Sequence, residues 1–300
     1  MPPESKTEQP PVCDYEGSDY QQRFWEHGDR QYEDQVEAIA IKRLLPKRGK
    51  LLLEVGAGAG RNTTRYANFG RIVLLDYSTT QLEQAQQLLG ASDRYVYVAA
   101  DVYKLPFVEG LFDSATMIRV IHHMADAPKA LQQIRQVMQP DGKFLLEYAN
   151  KRNFKAILRY WLRKQEWDPF DKEPVEFVPL NFDFHPKAMT SWLQDTGFAI
   201  ERQLTVSHFR IGWAKRRLPL KLLVRMDELL QPTGALWQYT PSVFLRTRAS
   251  GGSARAAEGA FFKCPECGAA LPKAERNQIA CPSCGRRWRV KSGIYNFKEA

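Results

Sequence analysis

LLLEVGAGAGRNT (51–63) is an apolar run that passes straight into the pattern Gly56-x-Gly58-x-Gly60. Consecutive large apolar residues bounded by glycine read as a buried strand. The alternating glycines let the chain turn sharply and come close to a ligand. The pattern predicts a helix after the turn, whose free N–H groups would face the same ligand. A dinucleotide fingerprint would need glycine at position 61, where Arg61 stands, and a phosphate-cradling loop would need Gly-Lys followed by Ser or Thr. The loop therefore suits a nucleoside ligand without a pyrophosphate.

Outward from this loop, apolar runs alternate with amphipathic stretches. Residues 72–75, 95–99, 115–120 and 144–148 read as further buried strands, with two more at 198–206 and 241–248. A helical pattern over 32–45 stops at Pro46. Ser78-x-x-Gln81 is a capping box for a second helix that ends at Gly90. Asp126 and Pro128 open a third, closed by Pro140-Asp141-Gly142, and Pro186 opens a fourth, closed by Gly197. Such alternation predicts an α/β fold with a mostly parallel sheet covered on both faces.

Acids extend the case for a nucleoside site. Asp76 ends the second strand, 20 residues after Gly56, where a carboxylate can accept bonds from both ribose hydroxyls. Asp101 ends the third strand, placed to accept from an adenine amine. Glu54, at the end of the first strand, is within reach of an ammonium or sulfonium centre.

With these residues the chain resembles the class I S-adenosylmethionine-dependent methyltransferases, in particular the type-11 group that includes the ubiquinone/menaquinone-biosynthesis C-methyltransferases. The resemblance runs from about 30 to 150 through LLLEVGAGAG, VLLDYS, AADVYKLPF, GLFDSATMIRVIHHMAD and LQQIRQVMQPDGKFLLEYAN. It implies a Rossmann-like seven-stranded sheet of order 3-2-1-4-5-7-6 with strand 7 antiparallel. It also implies that Gly56, Gly58 and Gly60 line the methionine end of S-adenosylmethionine. Asp76, with Tyr77 beside it, would hold the ribose, Asp101 and Val102 the adenine, and Arg119 would lie at the pocket floor. His122 and His123 follow the fourth strand, where a base or a positioning group would stand.

Charge and cysteine are both unevenly spread over the 300 residues. Residues 1–150 hold 17 basic and 20 acidic side chains, a net of −3. Residues 151–250 hold 17 against 10, a net of +7, and 251–300 hold 9 against 4, a net of +5. Two long stretches, 150–185 and 207–239, interrupt the alternation beyond the carboxyl ends of strands, where parallel sheets bind ligands. They hold most of the +7, with Asn150, Lys151, Arg152, Arg159, Arg163, His185, His208 and Arg210 as candidates for contact with an acceptor. Residues 209–230 form an amphipathic basic stretch suited to an anionic acceptor, a membrane surface or its own core.

Cys264-Pro-Glu-Cys267 and Cys281-Pro-Ser-Cys284 are two C-x-x-C knuckles separated by 13 residues. Two such turns complete a closed tetrahedral Cys₄ set, the structural kind of zinc site. The unit is too small to fold on its own core, so zinc would supply its folding energy. Its continuation, WRVKSGIYNF, resembles the zinc ribbon of small activator proteins that pair with certain RNA and protein methyltransferases.

The sequence thus predicts a tail over 1–30, in which Tyr15, Tyr20, Phe24 and Trp25 cluster either as a lid over the cofactor or as a cap on the core. A methyltransferase domain over 31–248, a linker over 249–260 and a zinc ribbon over 261–300 follow. No apolar run approaches the ~20 residues of a membrane span, and 1–20 has no secretory core, so the expected setting is cytoplasmic. The expected activity is methyl transfer from S-adenosylmethionine to a small or lipid-like, anionic acceptor. An RNA methyltransferase that reads its substrate with the basic insertions and the ribbon is the alternative. A non-catalytic cofactor-binding adaptor is a third reading. Oligomeric state is not encoded in any pattern found.

Overall fold

The computed structural model describes residues 10–13, 16–17, 30–90, 92–252, 254–275 and 277–298. At its centre β1 (Gly49–Val55) pairs in parallel with β2 (Phe69–Asp76) on one side and β4 (Phe112–Met117) on the other. The alternation of side chains along these strands builds two cores, one on each face of the sheet. Leu53, Val55, Val73 and Leu75 pack with Leu131 and Ile134 of α3 (Ala127–Val137). Leu52, Ile72 and Leu74 pack with Val36 and Ile41 of α1 (Gln31–Leu44) and with Leu82 of α2 (Thr79–Leu89).

Adding β3 (Tyr95–Ala99), β5 (Met138–Ala149), β8 (Phe198–Val206) and β9 (Ser242–Ala249) gives the order β3-β2-β1-β4-β5-β9-β8. β9 is antiparallel to both β5 and β8. This is the expected 3-2-1-4-5-7-6 arrangement, but the sheet does not stop at seven strands. β10 (Gln278–Ala280), β11 (Arg287–Lys291) and β12 (Ile294–Asn296) continue it past β3, giving ten strands in one sheet. β12 lies parallel to β3 with Tyr295 opposite Val98. The cysteine unit thereby covers the backbone edge that β3 would otherwise leave open. Trp288 and Phe297 join Phe262, Phe107 and Phe112 in a continuous aromatic cluster across the junction.

Three local expectations are corrected. The helix expected after the glycine loop is a single 3₁₀ turn over Thr63–Arg65. Asn62, Thr63 and Thr64 are weak helix formers, and the 13 residues between Val55 and Phe69 leave little room for one. The fourth strand begins at Phe112, three residues before its expected start, because Asp113 and Ser114 mask its apolar pattern. It ends at Met117 because Arg119 turns the chain at φ 59°. Pro140-Asp141-Gly142 does not end α3, which stops at Val137; it forms the irregular start of β5, with Asp141 at φ 64°.

The two interruptions fold as α4 (Phe154–Trp161) with the hairpin β6 (Val175–Val178) and β7 (Asn181–Asp183), and as α6 (Gly212–Arg217) with α7 (Leu220–Leu230). α5 (Pro186–Asp195) lies between them. The small-residue stretch after β9 lies along the domain. Arg135 holds the carbonyls of Gly197, Ser250 and Gly251, and Ala256 N–H donates to Gly110 at 3.0 Å. Among the described residues no helix is long and apolar enough to cross a membrane.

Candidate functional site

The carboxyl ends of β1, β2 and β4 open onto one pocket. Gly56, Gly58, Asp76, Tyr77, Val102, Arg119 and His123 are among its walls, together with Gln81, Val120, Met124, Val12 and Cys13. Gly56 sits at φ +66°, and a Cβ there would lie 2.2 Å from Val120, so the loop closes on that side chain only as glycine. At Gly58 the added Cβ would meet nothing nearer than Gln81 Oε1 at 3.7 Å, so its bareness leaves open space beside Asp76. Gly60 faces away, with Ala85 and Leu89 of α2 3.3 Å from where its Cβ would be.

Asp76 is braced from behind. Its Oδ2 accepts the Gly58 N–H at 2.7 Å and its Oδ1 the Ser78 N–H at 2.9 Å. Burial pushes its carboxyl above the usual carboxylate range, opposed by these N–H donors. Ser78 in turn caps α2 through the Gln81 N–H, so one short turn fixes both carboxylate and helix. Glu16 accepts the N–H groups of Thr79 and Thr80 on the same turn. The described part of the N-terminal segment thus reaches the pocket at Val12 and Cys13 and is held beside it by Glu16. Tyr15, Tyr20, Phe24 and Trp25 lie outside the described residues.

Two of the sequence-predicted acids stand off the pocket wall. Asp101 caps the 3₁₀ turn Val102–Lys104, accepting the Tyr103 N–H at 2.8 Å, and so sets Val102 in the wall. Glu54 is buried beneath the loop and accepts the Thr63 hydroxyl at 2.6 Å. Burial pushes its carboxyl up to about 7.

Arg119 forms part of the floor in the left-handed region, a conformation that strains a non-glycine residue. Its guanidinium is ion-paired with buried Glu37 of α1, and its N–H donates to Glu147 Oε2 at 2.9 Å. His123 Nδ1 lies 2.9 Å from the Leu180 carbonyl at the tip of the β6–β7 hairpin. A carbonyl only accepts, so Nδ1 carries the proton and Nε2 is the acceptor of the neutral ring. Burial holds His123 below the usual histidine range. His122 packs against it at 4.1 Å between ring centroids, the rings tilted by 48°, but is not in the pocket wall. It is held well below the usual range by burial, then by His123 and Arg119.

The insertions do meet this site, though not through the residues the sequence favoured. Lys151 is buried and donates to the Glu173 carbonyl at 2.6 Å, beside Asp171. Asn150 donates to the carbonyls of Gln238 and Thr240, and His185 caps α5 through the Lys187 N–H. These three anchor the insertions. His208 Nδ1 contacts Asp227 at 3.1 Å, and exposed Arg163 has no role in the pocket wall. Arg210 lies near Glu33 at 3.8 Å and lines a second cavity with Asn153, Phe154, Ile211 and Tyr239. Sequence reasoning missed Glu37, Glu147 and Asp183. Burial raises the Asp183 carboxyl to about 6, with Arg210 and Arg159 opposing.

The four C-terminal cysteines converge. All Sγ atoms lie within 4.8 Å of one another, with Cys264–Cys284 at 3.8 Å and Cys267–Cys281 at 3.5 Å. A tetrahedral ion with Zn–S bonds of about 2.3 Å separates its sulfurs by about 3.8 Å, so this set fits a zinc ion.

Residues 53–146 match the family described as a methyltransferase domain. The chain is 30% identical over 115 residues to a demethylmenaquinone methyltransferase of Clavibacter sepedonicus, spanning 38% of this chain and 47% of that protein. It is 26% identical over 177 residues to a ubiquinone/menaquinone biosynthesis C-methyltransferase of Pseudomonas syringae, spanning 53% of this chain and 69% of that protein. The chain therefore spans about half the length of the first of these relatives. In fold it is similar to a chain of the complex between a Haloferax volcanii methyltransferase activator and a methyltransferase, with TM-score 0.52, 16% identity, and 76% of this chain and 94% of that chain covered. Residues 53–146 thus match a methyltransferase domain at the centre of the Rossmann-like sheet.

Proposed function

We propose that the pocket binds S-adenosylmethionine and that the chain transfers its methyl group to a small or lipid-like, anionic acceptor. The observation that carries this reading is Asp76, fixed by two backbone N–H groups beside the open space at Gly58. Its carboxylate would take the ribose hydroxyls, Val102 the adenine, held in place by the Asp101 cap, and the Gly56–Gly58 backbone the methionine end. Bound there, the donor would supply a methyl carbon already activated by its sulfonium.

The chain's own work is then alignment and exclusion of water. Arg119 and Glu37 set the pocket floor by ion-pairing. Where the acceptor must lose a proton, His123 Nε2 is the group to take it, since the Leu180 carbonyl fixes the tautomer and burial keeps the ring neutral near pH 7. His122 would position His123 by packing against its ring. The quinone-related names of the relatives support a lipid-like acceptor, and the basic insertions support an anionic one. A zinc ion in the Cys₄ set would hold the ribbon's fold, and a cytoplasmic setting would keep those thiols reduced.

The experiment is incubation with methyl-labelled donor and a cofactor-depleted extract, then fractionation. Label in the lipid or small-molecule fraction supports the proposal. Label in RNA would instead favour the ribbon's exposed Arg287 and Arg289 as phosphate contacts, and no transfer to any fraction would favour an adaptor.

A further inference from the structure

Apart from Leu88, every large apolar side chain exposed among the described residues belongs to segments 150–185 and 207–239. They are ordered rather than scattered. On α4 and its C-cap, Phe154, Leu158, Trp161 and Leu162 share one exposed stripe, while Ala156 and Ile157 face inward. On α7, Leu222, Met226 and Leu229 repeat the same spacing, with Leu229 79% exposed and Leu223 buried. A row of cations flanks each stripe: Lys155, Arg159 and Arg163 on the first, Lys221 and Arg225 on the second. α6 between them adds Trp213, 62% exposed, with Arg216 and Arg217.

The acids on these three helices are Asp227, which is buried, and Glu228, which is paired with Arg43. The two segments meet at the second cavity, about 300 Å³, where Phe154 and Lys155 of α4 face Ile211, Trp237 and Tyr239. Phe154 N–H donates to the Tyr239 carbonyl at 2.7 Å and ties the segments together there.

We propose that this face docks the protein on an anionic lipid bilayer, with α4 and α7 lying in the interface and not crossing it. Contiguous exposed apolar surface of this kind marks a binding site. Tryptophan and tyrosine suit the boundary between headgroups and acyl chains, and cationic rows beside the stripes sit at the level of the lipid phosphates. Other occupants fit worse. A second copy placed face to face would set the cationic rows against one another. RNA would engage the cations and the aromatic rings, but it would leave Leu158, Leu162, Leu222, Met226 and Leu229 in water. The inference stands on the exposed face alone and not on the identity of the acceptor.

Flotation of the full chain with phosphatidylglycerol–phosphatidylcholine vesicles, and with phosphatidylcholine alone, tests it. The anionic vesicles should carry the protein about tenfold more strongly than neutral ones, with release at high salt and a blue shift of tryptophan emission. Trp161→Glu combined with Leu162→Glu should reduce partitioning about tenfold, and thermal melting should not change, since both side chains are exposed. Lys221→Glu with Arg225→Glu should shrink the difference between anionic and neutral vesicles. Absence of flotation at low salt would overturn the proposal. So would flotation unaffected by the α4 variant, transfer RNA binding by a chain that ignores vesicles, or a dimer in solution that the α4 variant dissociates.

Discussion

The two walls of the central pocket are made of different materials. The wall at β1, β2 and β3 is built from backbone: a glycine turn, the N–H groups that hold Asp76, and a capped 3₁₀ turn that presents Val102. Behind it, the cysteine unit extends the sheet. Phe297 N–H donates to the Ala99 carbonyl at 2.7 Å, and Lys298 lies 4.7 Å from the centre of the Tyr77 ring. The opposite wall is built from side chains that follow β4, Arg119, Val120, His123 and Met124, with the hairpin tip at Leu180 behind His123. A rigid backbone wall suits one invariant cofactor, whereas a wall of side chains and hairpin tips can be re-shaped for different acceptors.

The largest effect should come from breaking the brace. With Cys281→Ser the proposed zinc site loses a ligand, and the ribbon loses a folding contribution on the order of 10 kcal/mol. Hydrogen exchange over 278–298 should rise to unfolded rates and Tm should fall. Protection that persists would show that pairing with β3 holds the ribbon without metal. Gly56→Ala comes next, combining a positive φ with a clash at Val120, and should cost about 3 kcal/mol in denaturant unfolding. A loss below about 1 kcal/mol would mean that the turn can relax.

The backbone wall is the part that was legible in the sequence, because its information is local. Gly56, Gly58 and Asp76 stand at the ends of neighbouring strands whose apolar runs announce themselves. The other wall depends on distant pairs. Arg119 meets Glu37 across 82 residues and His123 meets Leu180 across 57. No spacing rule reveals either. Lys151 and His185 read as acceptor contacts because their charge was visible and their burial was not. The parallel pairing of β12 with β3 was hidden for a related reason: a small Cys-rich unit after a small-residue stretch looks separate until its edge finds a partner.

Smaller effects probe what lies beneath the backbone wall. Burial raises Glu54 from 4.5 to about 7, so between those values the folded state holds a proton that the unfolded chain has released. Its contribution is therefore complete below about pH 4.5 and is lost as pH rises through about 7, amounting to about 3 kcal/mol. Glu54→Gln should flatten that slope in denaturant titrations, and an unchanged slope would mean that another group carries it. On the acceptor side, His123→Ala should lower kcat about tenfold or more if the acceptor must be deprotonated, with cofactor affinity nearly unchanged. A change confined to KM would assign the ring to positioning.

The central claim is that Asp76 holds the cofactor's ribose on a wall made of backbone. Calorimetric titration of the full chain and of Asp76→Ala with S-adenosylmethionine tests it most directly. Loss of a charge-assisted, partly buried hydrogen-bonding group should weaken binding by about 2 to 3 kcal/mol, a rise in Kd of roughly 30- to 150-fold. Equal affinity in the two proteins would contradict the account.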